Sequence, residues 1–447
     1  MNNGGAIAHA RPTGAVSRRL AAAFLIWLAA SVGVISAWRG LNLKFDFQHF
    51  YLDAAYTWEH EALNPDLDNP DKTLRRQLPF YLPVVSLAIA PLAAGGPQAA
   101  ALLWAALHVA CLAYCLRVAA ARVIPAMRSP SDSRAASDAP VAGAWMLTAL
   151  AALASLPAMY EAAKFNQVSF ITLALVAAGV AAVLRRQPVS GGALLAAAAI
   201  LKILPGIMLL WLIARREWRA GAWFIVWGLV LTILPCVIVF GWEATQRYHH
   251  EWVEYNVQGA PARGLVDDTL DEHFVDRRNQ SIEIVAARWL LDGHAHRVGL
   301  SPVSLDEPTV MLLARGLKGL LLLALIAIGW HIGHASGARG QWCLAGAFML
   351  GMLVFSPLLR QYYLIWAFPA VAALTAAALD NRAARSIRTL SMAGLVVWLL
   401  GMALWMLESA RSAGAHLLML IVIGAILLWI ALHDARLSRI ALRESAR

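Results

Sequence analysis

The chain has 447 residues, 60% of them hydrophobic and only 14% charged. Soluble domains carry roughly 25% charged residues, so this composition excludes an ordinary water-soluble fold and points to a polytopic membrane protein. The formal net charge of +10 invites a nucleic-acid partner, but the arginines lie in short clusters between apolar runs and not along one polar face. They set topology, and no nucleic acid is expected.

Residues 1–19 form a basic cytoplasmic tail, and residues 20–37 make the first apolar run. Its basic approach (Arg11, Arg18, Arg19) is that of a signal peptide, but the run is about as long as a full span and no small-residue cleavage site follows. It is expected to remain as an anchor. The first outer loop, residues 38–82, opens on Phe45-Asp46-Phe47-Gln48-His49-Phe50-Tyr51. A carboxylate held among aromatic rings at a membrane surface can have its protonation tuned for proton transfer, which makes Asp46 the leading catalytic candidate. The competing reading is an acid in a solvated loop that merely flanks a helix. His49, three residues on, shares the side of Asp46 if the segment is helical. An interfacial histidine can also be purely structural. Asp66-Leu67-Asp68 imitates a metal-binding Asp-x-Asp, but it lies in a Pro/Asn-rich turn with no nucleotide to serve. The apolar stretch over 79–92 is too short to cross and reads as a helix lying at the interface.

The spans beyond this point follow from parity. If the clusters at Arg18/Arg19, 122–134, 185–186, 215–219, Arg339, 382–388 and 436–443 are all cytoplasmic, the crossings between them must be even in number. Runs 20–37 and 98–121 pair, as do 142–160 with 168–184, 220–240 with 308–332, 342–355 with 362–379, and 389–407 with 413–432. Both termini then lie inside. Between Arg186 and Arg215 a single apolar run holds Lys202 and Pro205, too short for two full spans. A broken hairpin fits, each arm climbing roughly 20 to 24 Å into a core of roughly 30 Å and leaving Lys202 within the bundle. The alternative is one long tilted helix with Lys202 snorkelling. The total is about 12 transmembrane helices in an all-α bundle. The long loops 38–82 and 241–307 place the working face outside, whereas the cytoplasmic loops are short apart from the Ser/Pro/Asp-rich 129–140.

Further polar residues fall on that outer face. Asn166 and Gln167 sit in a very short turn, where helix capping competes with hydrogen bonding to a ligand, and Lys164 beside them suits a lipid headgroup. Asn279-Gln280-Ser281 offers amides for hydrogen bonds to a polar ligand, though loop solvation or an Asn-x-Ser glycosylation acceptor explains it as well. Arg360, Tyr362 and Tyr363 follow Ser356-Pro357 in another outer turn. His249/His250 and His294/His296 lack a fixed ligand geometry and read as solvated loop histidines. Cys111, Cys115, Cys236 and Cys343 all lie in apolar runs without zinc spacing, so neither a disulfide nor a structural metal is expected.

The order of these landmarks carries a resemblance. Asp46-Phe-x-x-Phe50-Tyr51-x-x-Ala54-Ala55, Phe80-Tyr81-x-Pro83 with Pro91-Leu92, Asn166-Gln167, Leu201-Lys202-x-x-Pro205 with Arg215-Arg216-x-Trp218-Arg219, Asn279-Gln280-Ser281 and Ser356-Pro357 together resemble glycosyltransferase family 87. That family belongs to the polytopic GT-C enzymes and includes mannosyltransferases that elongate phosphatidylinositol mannosides. After Ser356-Pro357 many members carry a Trp-Asp-His-His-like run. This chain instead reads Leu358-Leu359-Arg360-Gln361-Tyr362-Tyr363.

The resemblance implies a reaction: transfer of a sugar from a polyprenyl phosphate donor to an acceptor hydroxyl on the outer side of the membrane, with inversion and no cofactor. A phosphate leaves without general-acid help, so one carboxylate as base suffices, aided by positive charge on the developing phosphate. Asp46 is then the base, Lys202 and Arg360 the cations, and His49, Tyr51, Asn166, Gln167, Asn279, Gln280, Tyr362 and Tyr363 further substrate contacts. Residues 20–379 form the catalytic transmembrane module, and 380–447 add C-terminal helices and a cytoplasmic tail. The partners are the lipid-linked donor, a glycolipid or glycan acceptor, and the membrane lipid, with the cell's plasma or inner membrane as the site. A transporter or flippase for a glycolipid or other lipid-linked substrate is the alternative. It predicts internal repeats, and none is visible.

Overall fold

The computed structural model describes residues 13–63, 81–128, 143–258, 278–291, 303–333 and 335–445. Among these the chain is helical, with no strand beyond one isolated bridge between Leu291 and Leu305. Seven described helices are long and apolar enough to cross a membrane, or eight if one bent pair counts as a single span. The protein is an all-α polytopic membrane protein, as the apolar runs predict.

The N-terminal half supplies part of the wall of the cavity described below. Helix α1 (Thr13–Leu41) lies along α4 (Gly96–Val118), and between them in sequence come α2 (Asp46–His60) and α3 (Pro83–Ile89). Pro83 opens α3 at a position where its missing N–H costs nothing, and Val84, Val85 and Ile89 are buried. A turn Ala90–Gly95 joins α3 to α4, which runs on through a π turn into α5 (Ile124–Arg128).

The run 142–160 is not one straight span. It divides at Ser155 into α6 (Ala144–Ala154) and α7 (Leu156–Lys164), bent by 64°. Pro157 causes the break: it has no N–H to continue the ladder, and its ring excludes the carbonyl four residues back, so the helix restarts in a new direction. The bend carries the Phe165–Val168 turn into the bundle.

Helices α8 (Ser169–Leu184) and α9 (Pro188–Leu201) follow, then a break at Lys202 and a short turn Leu204–Gly206 before α10 (Ile207–Ala214) and α11 (Trp218–Phe240). A Cβ at Gly192 would fall 2.6 Å from the Ala220 carbonyl oxygen and 2.7 Å from the Phe224 nitrogen. The starts of α9 and α11 therefore touch, which only glycine allows at this distance. The chain thus leaves one level and returns to it between them, turning at Lys202.

The remaining described helices are α12 (Trp242–Val253), α13 (Ile282–Leu290), α14 (Glu307–Ile332), α15 (Ala338–Val354), α16 (Phe368–Ala378), α17 (Arg385–Leu404), α18 (Glu408–Ser412) and α19 (Ala415–Ser445). Every residue of α16 is buried, and all of α15 but its first residue; these two helices are the centre of the bundle. Their many Ala and Gly residues let neighbouring helices approach closely. Helices α11 and α14 are the opposite case, with 6% and 11% of their spanning windows buried, and their exposed Leu, Ile and Val face hydrocarbon. Arg339 pins one end of α15 by donating from Nε and Nη2 to the Met127 carbonyl at 3.1 and 2.8 Å, and Asp434 accepts the Gly340 N–H at 3.1 Å.

Candidate active site

The turn after α1 determines where Asp46 sits. Leu43 and Phe45 take positive φ values of 46° and 57°, a backbone region that bulky L residues seldom occupy. Phe45 is held there by the Phe165 ring, 4.8 Å between centroids, and by the Arg39 guanidinium 5.1 Å from its own ring centre. Helix α2 then starts on Asp46 itself. Phe47 and Phe50 anchor it: both are buried, 6.2 and 5.2 Å from the Trp104 ring. At roughly 1.5–3 kcal/mol for each fully buried large side chain, these rings give one carboxylate a firm seat.

Across from Asp46 stands the α7–α8 turn. Gln167 donates from Nε2 to Asp46 Oδ2, and its Oε1 accepts from Lys202 Nζ at 3.2 Å. One amide therefore links the acid to the cation, with the two ends of its dipole matched to their charges. Lys202 is further held over Tyr363, its ammonium 3.9 Å from the ring centre, and 5.7 Å from that of Trp366. Phe165 also meets Tyr362 at 5.2 Å, so an aromatic ladder runs from the strained Phe45 turn to the rings beneath Lys202. Burial raises the Asp46 carboxyl from the usual carboxylate range to about 6, against the opposing pull of Lys202, His49 and Arg360.

These groups line a cavity of about 940 Å³. Asp46, His49, Gln167, Lys202, Arg360, Tyr362 and Tyr363 share its wall, and Ile200, Ile203, Leu204 and Leu358 supply apolar surface beside them. Four other residues expected at the site lie away from it. Tyr51 is five positions beyond Asp46, and at about 100° per residue it has turned to another side of α2. There it stacks on Phe47 at 6.3 Å. Asn166 faces inward from its turn and donates to the Ser36 carbonyl at 3.1 Å, while its own carbonyl accepts the Trp104 indole N–H at 3.2 Å. Neither Asn166 nor Gln167 caps α8.

Asn279 and Gln280 are corrected most clearly. Asn279 Oδ1 accepts the Ser281 and Leu359 N–H groups at 3.0 Å each, and Nδ2 donates to the Pro357 carbonyl at 3.2 Å. The Gln280 N–H donates to the Leu359 carbonyl at 2.9 Å, and its side chain to the Arg411 carbonyl at 2.6 Å. The Asn279 amide and the Gln280 Nε2 are occupied by backbone, which clamps the segment carrying Arg360, and both residues are fully buried. A glycosylation acceptor at Asn279 is excluded by the same burial. Ser281 caps α13, its hydroxyl accepting the Ile284 N–H at 3.4 Å.

The cavity also holds residues that were not singled out. Tyr81 was legible, since it belongs to a quoted landmark, and its ring meets Phe50 edge-on at 5.4 Å. Trp252, Asn256, Gln361, Trp405 and Arg411 also line it, and no motif marks them in the sequence. Phe80, the Asp66/Asp68 pair and His294/His296 lie outside the described residues.

The sequence model of glycosyltransferase family 87 matches residues 80–357, more than half of the chain. That stretch contains Gln167 and Lys202, whereas Asp46 precedes it and Arg360, Tyr362 and Tyr363 follow it. No curated protein and no solved structure matches the chain. The chain belongs to glycosyltransferase family 87 and is a membrane glycosyltransferase.

Proposed function

We propose that this protein transfers a hexose, with mannose favoured, from a polyprenyl phosphate donor to a hydroxyl of a glycolipid or glycan acceptor, inverting the anomeric centre. The observation that carries this reading is that the Asp46 carboxylate, Lys202 and Arg360 line a single cavity, with Gln167 joining Asp46 to Lys202. Asp46 takes the acceptor's hydroxyl proton as the oxygen attacks the anomeric carbon. The bond from that carbon to the phosphate oxygen breaks, and its electron pair leaves with the polyprenyl phosphate. The leaving phosphate gains one negative charge in this step, which Lys202 and Arg360 offset. His49, Tyr362 and Tyr363 supply polar contacts for the sugar, and the apolar wall at Ile200, Ile203 and Leu204 suits a lipid-linked donor. Residues 20–379 are the catalytic module in this reading, and the reaction takes place on the outer side of the plasma or inner membrane with both termini cytoplasmic.

Two outcomes follow. A base raised to about 6 must be ionised to act, so kcat/KM is expected to fall as pH drops through about 6 and to level off above it. A pH profile whose acidic limb stays in place in Asp46→Glu and Gln167→Ala alike would assign that limb to another group. For the topology, single cysteines at Gln187 and Arg219, in a background lacking the native four, are expected to resist a membrane-impermeant thiol reagent in intact cells. Labelling of either from outside would contradict a hairpin with cytoplasmic ends.

The function itself is tested by incubating membranes that contain the protein with a panel of radiolabelled polyprenyl phosphate sugars. One label is expected to move onto an acceptor, and only in membranes holding the protein. Transbilayer movement of the donor without transfer of label would instead identify a flippase.

A further inference from the structure

The cavity extends beyond the Asp46 site, and its wall carries a charge that the reaction above does not use. Among the described residues lining it, five cationic side chains (Lys164, Lys202, Arg278, Arg360 and Arg411) face two carboxylates, Asp46 and Glu161. Glu161 is taken by Lys164 at 3.1 Å. The proposed reaction uses Lys202 and Arg360 for the leaving phosphate and gives Arg411, on the wall of the same cavity, no part.

Among the described residues Arg411 also has no counter-charge. It forms no ion pair with a described carboxylate, and its Nε is buried with no hydrogen-bond partner among the described residues. Its guanidinium carbon lies 5.6 Å from the ring centre of Trp405, a second cavity residue, which restricts where the fork can point. Its backbone is fixed as well: the Arg411 carbonyl accepts from Gln280, whose own N–H donates to the Leu359 carbonyl beside Arg360. The two arginines are thus held on one frame at the cavity wall. A partly buried guanidinium without an anion is costly to keep, and a planar fork suits two oxygens of a phosphate or carboxylate.

We infer that Arg411, backed by Trp405, is a binding subsite for an anionic group, phosphate or carboxylate, carried by the acceptor. The inference rests on the transferase reading and adds the acceptor's chemical class. It also gives the helices beyond residue 379 a part in specificity, since Trp405 and Arg411 lie outside the stretch matched to the family.

The test measures equilibrium binding, independently of turnover, to the purified full-length protein in nanodiscs of phosphatidylcholine. The probes are octyl glucoside, octyl glucoside 6-phosphate, polyprenyl phosphate and inorganic phosphate. The phosphorylated glucoside is expected to bind about tenfold more tightly than the neutral one, the scale of one charge-assisted contact. Arg411→Gln should remove that preference while polyprenyl phosphate binds as before; Arg411→Lys, which retains the charge, should keep part of it; and Arg360→Gln should leave it intact.

A preference that survives in a folded Arg411→Gln protein would overturn the subsite. Weaker binding of polyprenyl phosphate in that variant would return Arg411 to the donor. If inorganic phosphate alone binds as tightly as the phosphorylated glucoside, and through Arg411, the site serves a free anion and the acceptor assignment fails. Failure of the transferase reading would show separately, as absence of label transfer in the wild-type protein.

Discussion

Asp46→Asn is expected to abolish sugar transfer, lowering kcat on the order of 10²-fold or more, while the protein folds and binds its donor. The substitution changes little in volume, and an amide oxygen at position 46 still accepts from Gln167. What disappears is the carboxylate proposed to take the acceptor's proton. Phe47 and Phe50 keep the helix seated on Trp104, so thermal stability should change little. Near-normal turnover in the purified variant would remove Asp46 from the mechanism. An equal loss of donor binding and of turnover would instead make it a binding residue.

Arg360→Gln is expected to slow turnover on the order of 10²-fold, the scale of losing one preorganised donor to a developing oxyanion, and to weaken inhibition by free polyprenyl phosphate. Arg360→Lys keeps the charge but not the fork, and should fall between the variant and the wild type. The residue's frame is independent of its side chain, since Asn279 and Gln280 hold the Pro357–Leu359 backbone directly. Unchanged product inhibition in Arg360→Gln would assign the arginine to the lipid boundary and leave Lys202 as the phosphate's cation.

Much of the architecture was legible because hydrocarbon is an exacting solvent. Apolar runs and arginine clusters mark the helices and their breaks, and the short interval around Lys202 and Pro205 reads as a turn within the bundle. Asp46, Gln167 and Lys202 could be nominated together because ordered landmarks of a family stand in the sequence, and Arg360 for its charge in the outer turn where the chain departs from them. Their convergence on one cavity is a tertiary fact. What stayed hidden depends on direction and partnership.

A proline in an apolar run can bend a span or merely start one, and only the packing shows that Pro157 turns α7 by 64°. Adjacent amides in one motif can serve opposite ends, so Gln167 enters the cavity while Asn166 turns back to Ser36. A polar pair such as Asn279-Gln280 reads equally as sugar contact or scaffold until its backbone partners are visible. Arg411 looks like one more basic residue near a helix end, and only its neighbours in space distinguish it.

The most direct measurement offers purified protein, with a glycolipid extract as acceptor, the same radiolabelled sugar in two forms: linked to polyprenyl phosphate and linked to a nucleoside diphosphate. Transfer is predicted from the lipid-linked form alone, to be lost in Asp46→Asn, and to be inhibited by free polyprenyl phosphate. Transfer from the nucleotide sugar at a comparable rate, or transfer that persists without the Asp46 carboxylate, would contradict a lipid-linked donor and a catalytic centre at the Asp46–Gln167–Lys202 constellation.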